Sequence, residues 1–253
     1  MQVYYSGSAS AENGRANSFQ NIGDSNVRLI YNALSMTREI SNLTGVERIV
    51  ELLAPFVGPA PLTDSQVRAI RTYIDLLLKW NAKLNLTAIR NPQDIITRHF
   101  GESLFAARQL FPVGDSHDSV IDIGSGAGFP GLPMKLWSPN LDLTLIESNQ
   151  RKATFLREVI RALDLKAALV LTGRAESVSL RADLVMFRAV ERFERILPVA
   201  FGLVKPGGRI ALLIGEMQVR GAQSALPTVT WNNPVPIPLT RNGRLLIGET
   251  EIP

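Results

Sequence analysis

Apolar positions recur along this chain in two rhythms. From Gly45 to Val57, the residues Val46, Ile49, Val50, Leu52 and Leu53 keep the three-and-four spacing of an amphipathic helix, and Gly58-Pro59-Ala60-Pro61 stops it. Thr63 with Gln66 three residues on reads as a capping box. Behind it, Val67, Ile70, Ile74, Leu77, Leu78 and Leu84 predict a helix to about Asn81. Asn91-Pro92 opens another, with Ile95, Ile96, Phe100, Leu104, Ala107 and Leu110 on its apolar side. From Ser119 the rhythm changes to short β-branched runs separated by helical ones. Strands are predicted at 119–123, 141–147, 168–172, 183–188 and 209–214, and helices at about 130–137, 149–163 and 191–204. Such alternation implies a mostly parallel sheet with helices on both faces, an α/β fold. Gly207-Gly208 reads as a tight turn into Arg209–Ile214. Pro227 to Leu239 is proline-rich, Leu245 to Gly248 is a last short strand, and an antiparallel hairpin would close the sheet. Residues 1–26 are polar and aperiodic, which predicts a flexible tail. The expected organisation is therefore that tail, a helical cap over 27–115, and an α/β domain over 116–253.

One corner of this pattern carries chemistry. The run Ser119 to Ile123 is stopped by Gly124-Ser125-Gly126-Ala127-Gly128-Phe129-Pro130-Gly131. Glycine permits a tight turn and a close ligand, and Pro130 suits the first turn of a helix. A strand, a glycine turn and a helix N-terminus make a nucleotide-binding corner. Two registers fit. Gly124, Gly126 and Gly128 give G-x-G-x-G, the pattern of S-adenosylmethionine enzymes, whereas Gly126, Gly128 and Gly131 give the dinucleotide fingerprint. Gly124 follows the strand directly, and Phe129-Pro130 crowds the place of a pyrophosphate. Asp122 suits a ligand bearing an amino group and repels phosphate. The first register is favoured.

Composition narrows the class. A chain of 253 residues, 45% hydrophobic, can bury a core. Absence of cysteine removes thiol and disulfide chemistry, and with only His99 and His117 as histidines no metal site is expected. No apolar run is long enough to span a membrane, and the first residues lack a secretory pattern, so a cytoplasmic protein is expected. A net charge of +4 permits an anionic partner such as RNA.

Other candidate residues follow strand ends. Glu147 ends the second strand, where an acid can accept from both ribose hydroxyls of an adenosine; the other reading is an exposed acid capping the helix that begins near Asn149. Arg174-Ala175-Glu176 follows the third strand and could meet an adenine edge with its backbone. Arg188 ends the fourth, at the carboxyl edge where open α/β sheets bind ligands; it could hold a phosphate or a guanine edge, or else pair with Glu191 or Glu216. His99, alone on its helix, reads as a packed and hydrogen-bonded residue.

Taken together these segments resemble the RsmG (GidB) family of 16S ribosomal RNA guanine-N7 methyltransferases. The resemblance rests on Trp80-Asn81-Ala82-Lys83-Leu84-Asn85-Leu86-Thr87, Arg98-His99 with Glu102-Ser103, and Asp122 to Pro133. It continues through Glu147-Ser148 with Lys152 and Phe155-Leu156, Arg174-Ala175-Glu176, Arg188-Ala189 and Pro206-Gly207-Gly208. It implies a Rossmann-like class I S-adenosylmethionine-dependent methyltransferase fold with an N-terminal helical cap. It further implies methyl transfer to a guanine N7 in the 530 loop of 16S rRNA, with the rRNA or the small ribosomal subunit as partner of a monomer. Carried over by residue, Gly124, Gly126 and Gly128 line the methionine part of the cofactor, with Asp122 and Phe129 beside them. Glu147 holds the ribose, Ala175 and Glu176 the adenine, and Arg188 faces cofactor and target base as the catalytic candidate. Arg90, Arg98 and Arg192 are candidates for RNA phosphates. Three positions depart from the family's pattern: Ile214 stands for its usual lysine, Glu102 for an aspartate and Phe187 for a serine. Two alternatives stay open. One is a cofactor-binding RNA-binding protein with weak or lost transferase activity, motivated by Ile214; the other is an NAD(P)-dependent oxidoreductase, motivated by the overlapping fingerprint.

Overall fold

A computed structural model describes residues 45–190 and 193–251; the predicted tail, the start of the predicted cap, and Glu191 and Arg192 lie outside the described residues. The first helix, α1 (Val46–Val57), buries Ile49, Leu53, Phe56 and Val57. Helix α2 (Asp64–Leu84) starts at Thr63, whose side chain accepts from the Gln66 N–H while Gln66 accepts from the Thr63 N–H. It runs three residues past the predicted end and stops at Asn85, which takes the left-handed conformation at φ 47°. The Asn91 side chain caps α3 (Pro92–Asp94), as its position before proline suggests.

The helix predicted beyond Asn91 is not uniform. Ile95–Gly101 forms a π-helical turn before α4 (Glu102–Leu110) resumes. π turns are rare and concentrate at functional sites. Here the widened turn brings Gly101 against Phe56, where a Cβ would come within 2.6 Å of the ring.

The α/β part follows the predicted alternation: β1 (Ser119–Ile123), α5 (Gly131–Trp137), β2 (Asp142–Glu147), α6 (Gln150–Ala162), β3 (Ala168–Thr172), β4 (Ala182–Arg188), α7 (Phe193–Gly202) and β5 (Val204–Gly215). Strand β5 starts earlier than predicted. The Pro206-Gly207-Gly208 segment lies inside it, and the β4–β5 register shifts between Ala182 and Leu184 to absorb the irregularity. Helix α8 (Glu216–Ala225) was not predicted, because only Val219 and Ala222 of it are buried and no apolar stripe announces it. Short β6 (Thr230–Trp231) and β7 (Val235–Pro236) both pair antiparallel with β8 (Gly243–Glu249).

Strand order is β3-β2-β1-β4-β5-β8-β6, parallel from β3 to β5 and antiparallel beyond. The chain moves outward from β1 to β3 and then returns to β4 on the other side of β1. Ligands of open α/β sheets bind at that reversal, outside the carboxyl ends of the strands. Alternate residues of each strand feed two cores. Val120, Leu143, Leu184, Met186 and Leu213 pack with Tyr73, Phe100 and Phe155 of the preceding helices and α6. Ile121, Ile146, Val185, Phe187 and Leu212 pack under α7 and α8. Phe187 is fully buried there and meets Phe193 edge-on, so its position is internal to the second core.

Candidate functional site

The glycine corner sits at the end of β1, at the reversal. Gly124, Gly126 and Gly128 have φ of 67°, 58° and 92°, whereas Gly131 is the first residue of α5. These left-handed conformations explain why glycine is used at the first three positions. The amides of Gly124 and Ser125 donate to the Ile146 carbonyl at 2.8 and 3.1 Å, which fastens the corner to β2. The three glycines face different surroundings. A Cβ on Gly126 would find nothing nearer than the Gly124 carbonyl oxygen at 3.7 Å. On Gly128 it would run into the Tyr73 hydroxyl and lie 2.6 Å from Leu132 Cδ1.

Two acids hold the corner. Asp122, fully buried, accepts from the Gly131 N–H on Oδ2 at 3.0 Å, at the start of α5. Its Oδ1 is buried with no hydrogen-bond partner. Burial, aided by Glu147, raises this carboxyl to about 7 although Gly131, Ser125 and Arg188 pull it down. Glu147 is not the exposed acid of the alternative reading but is buried at 6% exposure. Its Oε2 accepts from the Gly126 N–H at 2.8 Å and its Oε1 from the Asn149 N–H at 2.7 Å. Asn149 in turn caps α6 by accepting from the Arg151 and Lys152 amides.

The preceding helices reach this corner through Tyr73, which the sequence did not single out, and through His99, which is packed and hydrogen-bonded as expected. Tyr73, fully buried on α2, donates to the Ala127 carbonyl inside the glycine loop. Its ring stacks on Phe129 at 5.4 Å and meets Phe100 edge-on at 5.1 Å. The signal was present, since Tyr73 lies three residues after Ile70 on the apolar face. Phe129 carries His99 on its other side, with centroids 4.7 Å apart and planes 14° from parallel. The Asn-x-Lys-Leu-Asn-Leu-Thr segment acquires a role here. The Asn81 side chain accepts from the Thr87 N–H at 3.0 Å, and Thr87 Oγ1 sits 2.8 Å from His99 Nε2.

Arg188 ends β4 at the same edge, as expected; Glu191 lies outside the described residues, and Glu216 is not the partner of Arg188. The guanidinium is drawn toward the preceding helices: Nη2 pairs with Glu102 at 3.0 Å, and Nη1 lies 3.3 Å from His99 Nδ1. Both members of the ion pair are only 12% exposed. Glu216 pairs instead with Arg244. Burial pushes the Glu102 carboxyl above its ordinary range even with Arg188 and Arg98 beside it. Ile214, where a lysine was expected, is 6% exposed and stands opposite Arg244 in the β5–β8 register. A cation thus remains on that edge, one strand over. Arg98 and Arg90 are both exposed, and Arg90 donates to the Asn85 side chain at 2.9 Å.

Beside the corner opens a cleft of about 300 Å³ whose walls include Gly124, Ser148, Arg174, Ala175, Glu176 and Arg195. Ala175 begins a 3₁₀ turn, Ala175–Ser177, after β3. The expected residues thus converge on one sheet edge but divide in what they touch. Gly124, Ala175 and Glu176 form cleft wall; Gly128 and Phe129 are packed inward under Tyr73 and His99; Arg188 stands at the neighbouring strand end. Arg195 of α7 was missed, because nothing in its sequence neighbourhood marks a site. Among the described residues no group of His, Asp or Glu is arranged to hold a metal ion, and no helix is long and apolar enough to cross a membrane.

Comparison with known proteins places this geometry. A crystal structure of a methyltransferase from Pyrococcus furiosus superposes with a TM-score of 0.52 at 17% identity, covering 73% of this chain and 100% of that one. That likeness gives the fold. Ribosomal RNA small subunit methyltransferase G of Oenococcus oeni is 37% identical over 175 residues, 66% of this chain and 72% of its own length. The protein of the same name from Chloroflexus aggregans is 39% identical over 177 residues, again 66% and 72%. The family model for GidB, rRNA small subunit methyltransferase G, matches residues 66–231, from the first turn of α2 through the five parallel strands to β6. The chain belongs to the rRNA small subunit methyltransferase G family.

Proposed function

We propose that this protein transfers a methyl group from S-adenosylmethionine to the N7 of a guanine in the 530 loop of 16S rRNA, acting as a cytoplasmic monomer. The observation that carries the reading is the pairing, at one chain reversal, of an open cleft walled by Gly124 with an arginine at the neighbouring strand end, held between Glu102 and His99. Family membership weighs against the nicotinamide alternative.

The residues fit such a cofactor. Gly126 leaves its Cβ side open, and Asp122 keeps a buried carboxylate oxygen without a partner, suited to an ammonium group. In this reading Asp122, Gly124 and Gly126 hold the methionine end, Glu147 the ribose, and Ala175 with Glu176 the adenine. Gly128 and Phe129 support the loop from beneath. Both Glu147 oxygens already accept a backbone N–H, yet each keeps a lone pair for a ribose hydroxyl. S-adenosylmethionine, when bound, supplies a methyl group on a positively charged sulfur.

Guanine N7 presents a lone pair and no proton, so the chain has no proton to remove. That agrees with the site. Burial, with Arg188 and Arg98 nearby, holds His99 down at about 3, and Glu102 is committed to Arg188. The task left to the protein is to expose the base and hold it in line, which contributes about 7–11 kcal/mol in well-oriented reactions. Unstacking the base costs a few kcal/mol and favours a looped RNA. Arg188 is the group placed to meet the guanine edge, while Arg90, Arg98 and Arg192 are proposed to meet phosphates. The division into a cap over 27–115 and a transferase domain over 116–253 belongs to the same reading.

Calorimetry with the purified chain tests the cofactor. S-adenosylhomocysteine is expected to bind and NAD not to bind; the reverse result overturns the reading.

A further inference from the structure

We propose that His99 is a positioning residue. As a neutral imidazole it accepts from Arg188 on Nδ1 and donates from Nε2 to Thr87, so that the helices before β1 aim Arg188 from a second side without adding negative charge beyond that of Glu102. The inference rests on the reading of Arg188 given above and adds a role for a residue outside the cofactor cleft.

The protonation state follows from donor and acceptor chemistry. A guanidinium carries only donors, so a ring nitrogen 3.3 Å from Arg188 Nη1 must offer a lone pair. The ring proton then belongs on Nε2, which lies 2.8 Å from Thr87 Oγ1. That oxygen also accepts from the Ile89 N–H at 3.1 Å, which holds Thr87 in place. An imidazolium would set an N–H against an N–H and a cation against a cation. The charged groups bearing on the ring are Arg188 and Arg98, with Glu102 joined to Arg188.

The ring's orientation is fixed as firmly as its proton. Phe129 covers one face at 4.7 Å, and Phe129 is itself stacked on Tyr73. The π-helical turn Ile95–Gly101 supplies the backbone, and the Ser103 hydroxyl donates to the His99 carbonyl at 2.5 Å. His99 and Glu102 thus hold the two ends of one guanidinium, and only Glu102 is charged. A second carboxylate at position 99 would orient Arg188 equally well but, with Glu102 already balancing the guanidinium, would leave the group net negative toward RNA. Histidine does the first without the second.

The experiment uses the full chain labelled with ¹⁵N and reads its two histidines, His99 and His117, by long-range proton–nitrogen correlation. An H117N variant assigns the signals. At neutral pH, His99 is expected to show a proton on Nε2 and a bare Nδ1, and R188M is expected to shift the Nδ1 resonance. A proton on Nδ1, an imidazolium, or no response to R188M overturns the proposal. These signals need no turnover, so they decide the positioning claim even if the substrate proves to be another RNA. Kinetics supply the second readout. H99A is expected to lower kcat by up to about 100-fold, the penalty of a misplaced group. H99Q, whose amide oxygen can accept from Arg188, is expected to recover most of the loss. Wild-type kcat in H99A, or an H99Q no better than a folded H99A, contradicts it.

Discussion

Gly126 and Gly128 stand two residues apart in one motif, and the structure separates their work. The perturbation is an alanine at each. Both backbones are left-handed, at φ 58° and 92°, so each substitution costs roughly 1–2 kcal/mol of backbone strain. For G126A little else is lost, because its Cβ meets nothing closer than 3.7 Å. For G128A the Cβ drives into the buried Tyr73 hydroxyl and Leu132, adding about 1–3 kcal/mol of overpacking. G128A is therefore expected to lose about 2–5 kcal/mol of unfolding free energy and G126A about 1–2 kcal/mol. Ligand binding should reverse the order relative to stability, since only the Gly126 Cβ projects into open space. Y73F provides a control. Alone it leaves the Ala127 carbonyl without its donor, at a cost of about 1–3 kcal/mol. Combined with G128A it removes the atom in the way, so the double variant should be more stable than the sum of the singles by at least about 0.5 kcal/mol. Urea unfolding followed by circular dichroism measures the stabilities, and calorimetry with S-adenosylhomocysteine measures binding. A G128A variant as stable as G126A, or strict additivity with Y73F, would refute the packing argument.

Other expectations follow from the same geometry. Asp122 titrates near 7 in the folded protein against an ordinary 3.8, so the native state holds its proton more tightly than the unfolded chain. Its contribution is most favourable below 3.8, falls as pH rises to about 7, and is then constant, by up to about 4 kcal/mol in all. D122N should remove that fall in urea titrations between about pH 4 and 7, leaving the opposing rise that His99, held down at about 3, contributes as pH climbs to 6.5; an unchanged slope contradicts the assignment. Glu147→Ala strips the acceptor from the Gly126 and Asn149 amides and should weaken S-adenosylhomocysteine binding by at least about tenfold, with Glu147→Gln intermediate. At the opposite end of the sheet, burial raises the Asp183 carboxyl, but the Ser119 bonds and Lys205 bring it down to about 2. Its contribution is present above 3.8 and lost as pH falls toward 2, so K205M should raise the midpoint of acid unfolding while leaving methyl transfer intact.

The elements that could be read from the sequence are those whose signal is local. Ser119–Ile123 and Ala168–Thr172 are short apolar runs bounded by turn formers, and both end where expected. The Thr63 box and the Asn91 cap depend on neighbours within three residues and appear as read. What escaped depends on contacts made across the fold. The π turn at Ile95–Gly101 keeps an apolar pattern indistinguishable from an α-helix, and the contact it makes, Gly101 against the Phe56 ring, is with another helix. Arg188 could be placed at a strand end, but its partner Glu102 is supplied by a helix far earlier in the chain, so nearby acids were weighed instead. Glycine spacing marked the corner without telling that Gly128 serves Tyr73 and Gly126 faces open space. Ile214 read as a lost cation, and only the β5–β8 register shows Arg244 across from it.

The central claim is the transfer of a methyl group to one guanine, and mass spectrometry of 16S rRNA addresses it directly. The RNA is taken from cells lacking this gene, from cells complemented with the intact chain, and from cells complemented with R188M. N7-methylguanosine in the 530 loop is expected to vanish in the deletion, return with the intact chain and stay absent with R188M. An undiminished N7-methylguanosine level in the deletion strain would contradict the account.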